Sequence, residues 1–178
     1  ENAPGGILMM SVDTKIMAAN KYLCELLGYD IEDLINIPYL DLVATPDDLE
    51  FEKKIHSLIK GEYSFFEIEK QLIHKNAQHI FVLSTVSVVK DNEGIPLYII
   101  EQLTDITKRK IVEHALRVSE RKFNSFFNSS SVMYLIISKD QYRIIDCNTT
   151  YSQITGFHID KIIDNSIFSV FSDEDRSV

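Results

Sequence analysis

Apolar residues change their spacing along the first hundred positions, and each change marks an element. Ile7 to Val12 and Lys15 to Ala18 are short apolar segments separated by the turn-forming pair Asp13 and Thr14, which predicts a hairpin. Asn20 stands where it would cap a helix with Leu23, Leu26 and Leu27 on one face, and Gly28 where that helix would end in the left-handed conformation. A second short helix is expected after Asp30. Thr45, Pro46 and Asp48 offer an N-cap, a first-turn proline and a capping-box acid to a third helix, whose Phe51, Ile55, Leu58 and Ile59 fall at helical spacing and which Gly61 ends. From Ser64 the period becomes two, and three long strands joined by tight turns are expected at roughly 64–74, 79–90 and 96–104. A hairpin, helices and three antiparallel strands make an α+β domain, a five-stranded antiparallel sheet with helices on one face.

The hairpin and helices occur twice. Displaced by 128 positions, 7–48 aligns without a gap on 135–176, pairing Ile16 with Ile144, Asn20 with Asn148, Gly28 with Gly156, Tyr29 with Phe157, Ile31 with Ile159 and Asp47 with Asp175. Ser172 and Asp175 repeat the capping box of Thr45 and Asp48. The second copy reaches Val178 where its third helix would begin, so its three long strands are not in the sequence. Leu135, Ile136, Ile137, Ile144, Ile145 and Phe168 are therefore expected to expose a large apolar surface that a partner chain would cover. A dimer, a swapped arrangement or a loosely ordered tail would follow.

Composition narrows the function classes. Hydrophobic residues make up 45% and charged residues 25%, enough apolar surface to build a core. The formal net charge of −9 repels phosphate backbones and anionic lipid, which argues against nucleic acid as a partner. Apolar runs such as 80–83 and 97–100 are far shorter than the ~20 residues that span a bilayer, so no membrane contact is expected of this segment, although a parent protein could be membrane-anchored. Cys24 and Cys147 suit free thiols in a cytoplasmic protein, and no basic-then-apolar leader precedes Pro4.

The run Asn2-Ala3-Pro4-Gly5-Gly6-Ile7, the block from Asn20 to Gly28-Tyr29, Pro46-Asp47-Asp48, the turn Lys75-Asn76-Ala77 and above all Asp105-Ile106-Thr107 followed by Lys108-Arg109-Lys110 resemble the PAS family with its PAC extension. Glu113 to Phe123 is similar to the connector between tandem PAS domains of prokaryotic signalling proteins. The resemblance covers essentially the whole chain and implies three parts. These are a complete PAS/PAC sensory domain over 1–104, a helical linker over 105–128 and the N-terminal half of a second PAS domain over 129–178. Ala77 departs from the glycine the family carries there, so that turn is expected to be strained or of another type.

In the family the Asp-Ile-Thr segment couples the sensory core to the downstream helix, which assigns signal coupling to Asp105 and Thr107. Asp105 can cap a helix running to about Phe127, on which Val112, Leu116, Ser119, Phe123 and Phe126 recur at spacings of four and three, a coiled-coil seam suited to a homodimer. The plain alternative is a helix that packs only on its own sheet.

PAS cores often enclose a cavity between the third helix and the inner sheet face, and strand parity nominates its lining. Phe51 and Ile55 come from the helix. Phe66, Ile68 and Leu72 share one parity, Ile80, Val82, Ser84, Val86 and Val88 another, and the family register from Asp105 turns Ile99, Glu101 and Leu103 inward. Lys70, Ser84 and Glu101 interrupt these apolar faces. Paired hairpins would put them in one transverse row, with Lys70 and Glu101 about 10 Å apart across Ser84. Buried charges need partners, and a polar small-molecule ligand could supply them. The alternative is a bulge or edge location that puts Lys70 in water.

Cofactors are weighed by residue type. Flavin-binding light sensors of the superfamily use a cysteine in a helix motif, and the matching Asn36-Ile37-Pro38-Tyr39 has none, which disfavours photochemical adduct formation. Haem needs an axial ligand facing the cavity, and His56 lies beside the apolar stripe of its helix rather than within it. His74 and His79 flank a turn and could meet across it, without a third metal ligand. No phosphate loop, nucleophile elbow or Cys-x-x-Cys occurs, and Ala115-Leu116-Arg117 after His114 does not continue the phosphoacceptor motif of sensor kinases. Acidic groups such as Asp47-Asp48 and Asp173-Glu174-Asp175 sit at helix starts, where they favour the dipole. The expected function is a non-enzymatic sensory module that responds to a small molecule or redox signal and acts on an output domain, a histidine kinase or cyclic-dinucleotide enzyme. A ligand-free dimerisation or protein-interaction module is the alternative.

Overall fold

The predicted hairpin is formed by β1 (Gly6–Met10) and β2 (Ile16–Ala19), and its turn holds Thr14 at φ 62°. Asn20 then does two jobs. Its Oδ1 accepts the N–H groups of Leu23 and Ile7, both at 3.0 Å, and its Nδ2 donates to the Gly5 carbonyl at 3.0 Å. One amide thus caps α1 (Lys21–Leu27) and fastens it to β1. Gly28 ends α1 at φ 72°, a conformation that favours glycine, and a Cβ there would lie 2.5 Å from the His74 ring and displace it.

The computed structural model of the chain describes residues 5–35, 38–44 and 49–169, in two units, Glu1–Val112 and Glu113–Val178. In the first, α2 (Ile31–Leu34), a 3₁₀ turn (Tyr39–Leu42) and α3 (Leu49–Lys60) lead into β3 (Phe65–Ile73), β4 (His79–Lys90) and β5 (Pro96–Asp105). The strands run antiparallel in the order β2-β1-β5-β4-β3. Alternation does what the sequence pattern requires: Leu72, Val82, Val86, Ile99 and Leu103 turn inward and meet Leu23, Leu27, Leu34, Leu42, Phe51, Ile55 and Leu58 in one core. Each fully buried leucine contributes about 1.5–3 kcal/mol relative to exposure. The cap assigned to Thr45, Pro46 and Asp48 lies outside the described residues, as do Asn2, Ala3, Pro4, Asn36, Ile37, Asp47 and the acidic run from Asp173. Ala77 occupies the left-handed region at φ 66°, the strained alternative for that turn.

Helix α4 (Thr107–Ser129) contains the boundary between the units. In the second unit β6 (Leu135–Ile137), β7 (Ile144–Cys147), α5 (Thr149–Thr155), α6 (Ile159–Ile162) and a 3₁₀ turn (Ile167–Ser169) repeat the first-unit order. Ile144 does not join an exposed surface as expected. It is fully buried, because α6 lays Ile162 against β7 and the pair closes a small core with Cys147. Leu135 and Ile136 are half-buried, whereas Ile137, Ile145 and Phe168 are exposed. Ser172 and Asp175 lie outside the described residues. Among the described residues no helix is long and apolar enough to cross a membrane.

Candidate functional site

The inner sheet face carries charge, as parity predicted. The Lys70 side chain is 3% exposed and that of Glu101 0%, and Nζ of Lys70 lies 2.6 Å from Oε1 of Glu101. Nine register pairs of β3 with β4 run without a bulge, so the reading that would put Lys70 in water is overturned even though β3 is an edge strand. The transverse row is also corrected. Lys70 faces Val82, Ser84 faces Ile68 and Leu103, and Glu101 faces Val86, which sets the three on a diagonal. The two long side chains extend along that diagonal and meet, instead of standing about 10 Å apart across Ser84.

Three donors converge on one oxygen. The Tyr39 hydroxyl donates to Oε1 of Glu101 at 2.9 Å, the Ser84 hydroxyl donates to the same atom, and the Lys70 ammonium completes the set. Oε2 is buried with no hydrogen-bond partner among the described residues. Burial, and then the neighbouring Glu101 carboxylate, push the Tyr39 phenol well above its usual pKa. The Lys70 ammonium also stands 3.9 Å from the Phe51 ring centre and 4.6 Å from that of Tyr39, so aromatic faces share in holding its charge. Sequence reasoning missed Tyr39, whose partner lies 62 residues away.

Tyr39 and Phe51, with ring centres 5.5 Å apart, lie beneath a cleft of about 490 Å³, Tyr39 fully buried and Phe51 4% exposed. The turn at Val12–Thr14 forms one side, tied to the 3₁₀ turn by the Tyr39 N–H donating to the Thr14 carbonyl at 3.1 Å, and α3 forms the other with Ile55 and Ile59. Of the nominated lining, Phe51 and Ile55 border this cleft. Leu72, Val82, Ser84, Val86, Ile99, Glu101 and Leu103 sit behind it in the core with exposures of 1% or less, and Ile68 is partly buried against them. His56 is exposed at the cleft, its Nδ1 3.2 Å from the Glu52 carbonyl. His74 and His79 do not meet, since His74 accepts the Asn76 N–H at 3.1 Å and packs on Gly28 while His79 turns to Gln71 at 2.8 Å.

The start of α4 is fastened to the sheet. Oδ1 of Asp105 accepts the Thr107 N–H at 2.8 Å, Oγ1 of Thr107 accepts the Phe81 N–H at 3.0 Å, and the Ile106 N–H donates to the Phe81 carbonyl at 2.9 Å. Glu69, the outward neighbour of Lys70 on β3, binds Arg109 and, at 2.5 Å, Lys110. The hydrogen bond from Lys110, with both cations close by, holds the Glu69 carboxyl below its usual pKa. Further along α4 the seam residues Val112, Leu116, Phe123 and Phe126 are exposed, and Phe123 stacks on Phe127 at 5.3 Å. Burial raises the thiol pKa of Cys24 and of Cys147, which disfavours the thiolate in both.

Comparison with known proteins fits this architecture. The chain is 32% identical over 109 residues to the probable diguanylate cyclase DgcE of Escherichia coli, covering 61% of this chain and 10% of that protein. It is 27% identical over 176 residues to sporulation kinase E of Bacillus subtilis, covering 97% of this chain and 22% of the kinase. The chain thus spans a minor part of the curated relatives it matches. A PAS domain from Colwellia psychrerythraea superposes with a TM-score of 0.55 at 20% identity, covering 60% of this chain and 89% of that one. An RNA-binding light-oxygen-voltage receptor superposes at 0.56 with 19% identity, covering 68% and 34%. These two likenesses establish the fold alone. The PAS domain profile matches residues 4–108, and a second PAS domain profile matches 121–178. With its five-stranded antiparallel sheet, covering helices and repeated hairpin-helix unit, the chain belongs to the PAS domain family, as a PAS sensory region of the kind found in signal-transduction proteins.

Proposed function

We propose that the first domain senses a small molecule and passes its state through α4 to an output domain, without catalysing a reaction itself. The observation that carries this reading is the adjacency of Glu69 and Lys70. Lys70 faces inward to Glu101, and Glu69 faces outward to Arg109 and Lys110 at the start of α4. A shift of β3 that accommodates a change beside Tyr39 and Phe51 moves both contacts at once, because one peptide bond joins them. Asp105 and Thr107 hold the other side of the junction, and so take the coupling role. The relatives' names support a kinase or diguanylate cyclase as the output. A redox signal is less well supported, since neither thiol is poised to ionise.

Hydrogen exchange tests the coupling on this chain. Glu101→Gln keeps the shape of the buried cluster and removes its charge, and protection should fall at 107–112 by more than in Ile16→Ala, a core deletion on β2, the edge strand at the opposite side of the sheet from β3. Equal protection loss in the two variants would remove the coupling. A second reading, a ligand-free dimerisation module, is favoured by the exposed seam Val112, Leu116, Phe123 and Phe126. Sedimentation of the Leu116→Glu variant separates the two, since a dimer built on the seam would dissociate.

A further inference from the structure

The last turn of α4 is bound into the second unit by side-chain hydrogen bonds as well as by packing. Asn148, fully buried between β7 and α5, fills the whole capacity of its amide, two acceptor positions and two donors. Its Oδ1 accepts the N–H groups of Tyr134 at 2.9 Å and Tyr151 at 3.0 Å, and its Nδ2 donates to the carbonyls of Phe127 at 2.9 Å and Val132 at 2.8 Å. The Phe127 carbonyl is one of those that a helix end leaves without an intrahelical partner. One side chain thus joins the end of α4, the segment after it, the entry to β6 and the first turn of α5. Beside it, Oδ1 of Asn128 accepts the Thr149 N–H at 3.1 Å and the Thr149 hydroxyl at 2.9 Å, and the Thr150 hydroxyl donates to the Ser130 carbonyl at 2.5 Å. Phe127, 5% exposed, stacks on Tyr134 with ring centres 6.0 Å apart. The corresponding amide of the first unit serves its own hairpin, since Asn20 donates to the Gly5 carbonyl.

We infer that Asn148 and Asn128 hold the last turn of α4 and α5 as one body, so that a displacement of α4 enters the second PAS domain at its hairpin and first helix. The second domain is then the immediate receiver of the first domain's state. Hydrogen bonds weaken steeply with misalignment, and those of Asn148 are buried where no water replaces them. The end of α4 therefore cannot rotate against α5 without losing at least one of them. Asn148 and Asn128 are positioning residues. The inference rests on the coupling proposed above and names where that coupling arrives.

Amide chemical shifts of the isotope-labelled chain test it, because they follow hydrogen-bond geometry and report displacement without opening. Glu101→Gln, the variant that disturbs the start of α4, should shift the amides of Tyr134 and Tyr151, the two that Asn148 accepts. Asn128→Ala removes an exposed acceptor without touching the core, and in that background the response at Tyr151 should shrink. Asn128→Asp keeps the acceptor and should restore it. Asn148→Asp keeps the cap to both amides but sets an anionic oxygen against the Phe127 and Val132 carbonyls, and the response should be lost at both positions. A merely structural role would cost stability in Asn128→Ala and leave the response intact. Unshifted Tyr134 and Tyr151 amides in Glu101→Gln, alongside lowered protection at 107–112, would overturn the inference and leave the coupling to the start of α4 in place. A response that survived both Asn128→Ala and Asn148→Asp would overturn it too, because the state would then arrive by another route. If neither the two amides nor 107–112 responded, the coupling itself would fail and the receiver with it.

Discussion

The two copies of the hairpin-helix unit are built on the same local instructions and bury very different amounts of surface. In both, an asparagine joins the hairpin to the first helix: Oδ1 of Asn148 accepts the Tyr151 N–H at 3.0 Å and the Tyr134 N–H at 2.9 Å, as Asn20 does with Leu23 and Ile7. Both first helices end on a left-handed glycine, Gly28 at φ 72° and Gly156 at φ 74°. Yet α1 buries Leu23 and Leu27, whereas α5 buries none of its residues, and Ile154 on it is 64% exposed. Where Leu27 stands in the first copy, Thr155 stands in the second. Caps and turns are thus set within about fifteen residues of sequence, while burial depends on strands that lie far along the chain and on side chains chosen to meet them.

The comparison is broken most forcefully at the buried ion pair, which has no counterpart in the second unit, where Asn148 is the one fully buried polar residue among those described. Glu101→Leu removes the carboxylate 2.6 Å from the buried Lys70 ammonium and should lower the unfolding free energy by about 3–5 kcal/mol in urea denaturation, whereas the double variant Lys70→Met, Glu101→Leu should regain most of it. A loss below about 1 kcal/mol in the single variant would mean that water reaches the pair. Next in size is the asparagine itself. Asn20→Ala and Asn148→Ala each remove a cap and strand tether, and each should cost about 1–2 kcal/mol. The first loss should appear in the cooperative unfolding of the sheet, the second as lost amide protection over 149–155. Identical behaviour of the two variants would mean that the copies share one folding unit.

What could be read from the sequence follows the same division. Asn20, Gly28 and the inward parity of Lys70 and Ser84 were legible because each depends on neighbours a few positions away, whereas Glu101 lies on a strand apolar on both parities and was turned inward only by the family register from Asp105. Their mutual register was not legible, because it is set by turns. The Lys75-Asn76-Ala77 turn pairs Ile73 with His79 and thereby Lys70 with Val82, and an irregularity between Val89 and Lys90 shifts the other hairpin by one residue, so Ser84 faces Leu103 where an unbroken ladder from Lys90 and Pro96 would set it against Gln102. Tyr39 follows Pro38 with no periodic signal around it, and the partner of its hydroxyl, Glu101, lies 62 residues away. The cleft draws on three segments separated in sequence, 12–14, 39–40 and 51–59, so it had no linear signature.

Smaller effects sharpen the comparison at the hairpin turns. Thr14 at φ 62° and Tyr142 at φ 51° occupy corresponding turns in the left-handed region, and neither is glycine. Thr14→Gly and Tyr142→Gly should each gain about 0.5–1 kcal/mol by relieving that conformation, read as a raised urea midpoint for the first and greater amide protection over 144–147 for the second. A loss at either position would show that the side chain contributes more than its backbone costs.

The smallest effect concerns how each unit holds its part of α4. In the first, Glu69 holds Arg109 and Lys110 through exposed charges; in the second, Nδ2 of Asn148 donates to the Phe127 carbonyl at 2.9 Å from a buried amide. The pKa of Glu69 is lower folded than unfolded, so its contribution is complete above the ordinary glutamate value of about 4.3 and is lost as pH falls through the depressed folded value. Salt near 1 M, where the screening length is about 3 Å, weakens the same contacts at neutral pH. Protection factors at 109–112 should therefore fall in acid and in high salt, while those at 125–129 respond to neither, because a neutral amide donating to a carbonyl carries no net charge to screen or titrate. Parallel loss at both ends would mean that α4 frays as one element and that the sheet does not hold its start independently.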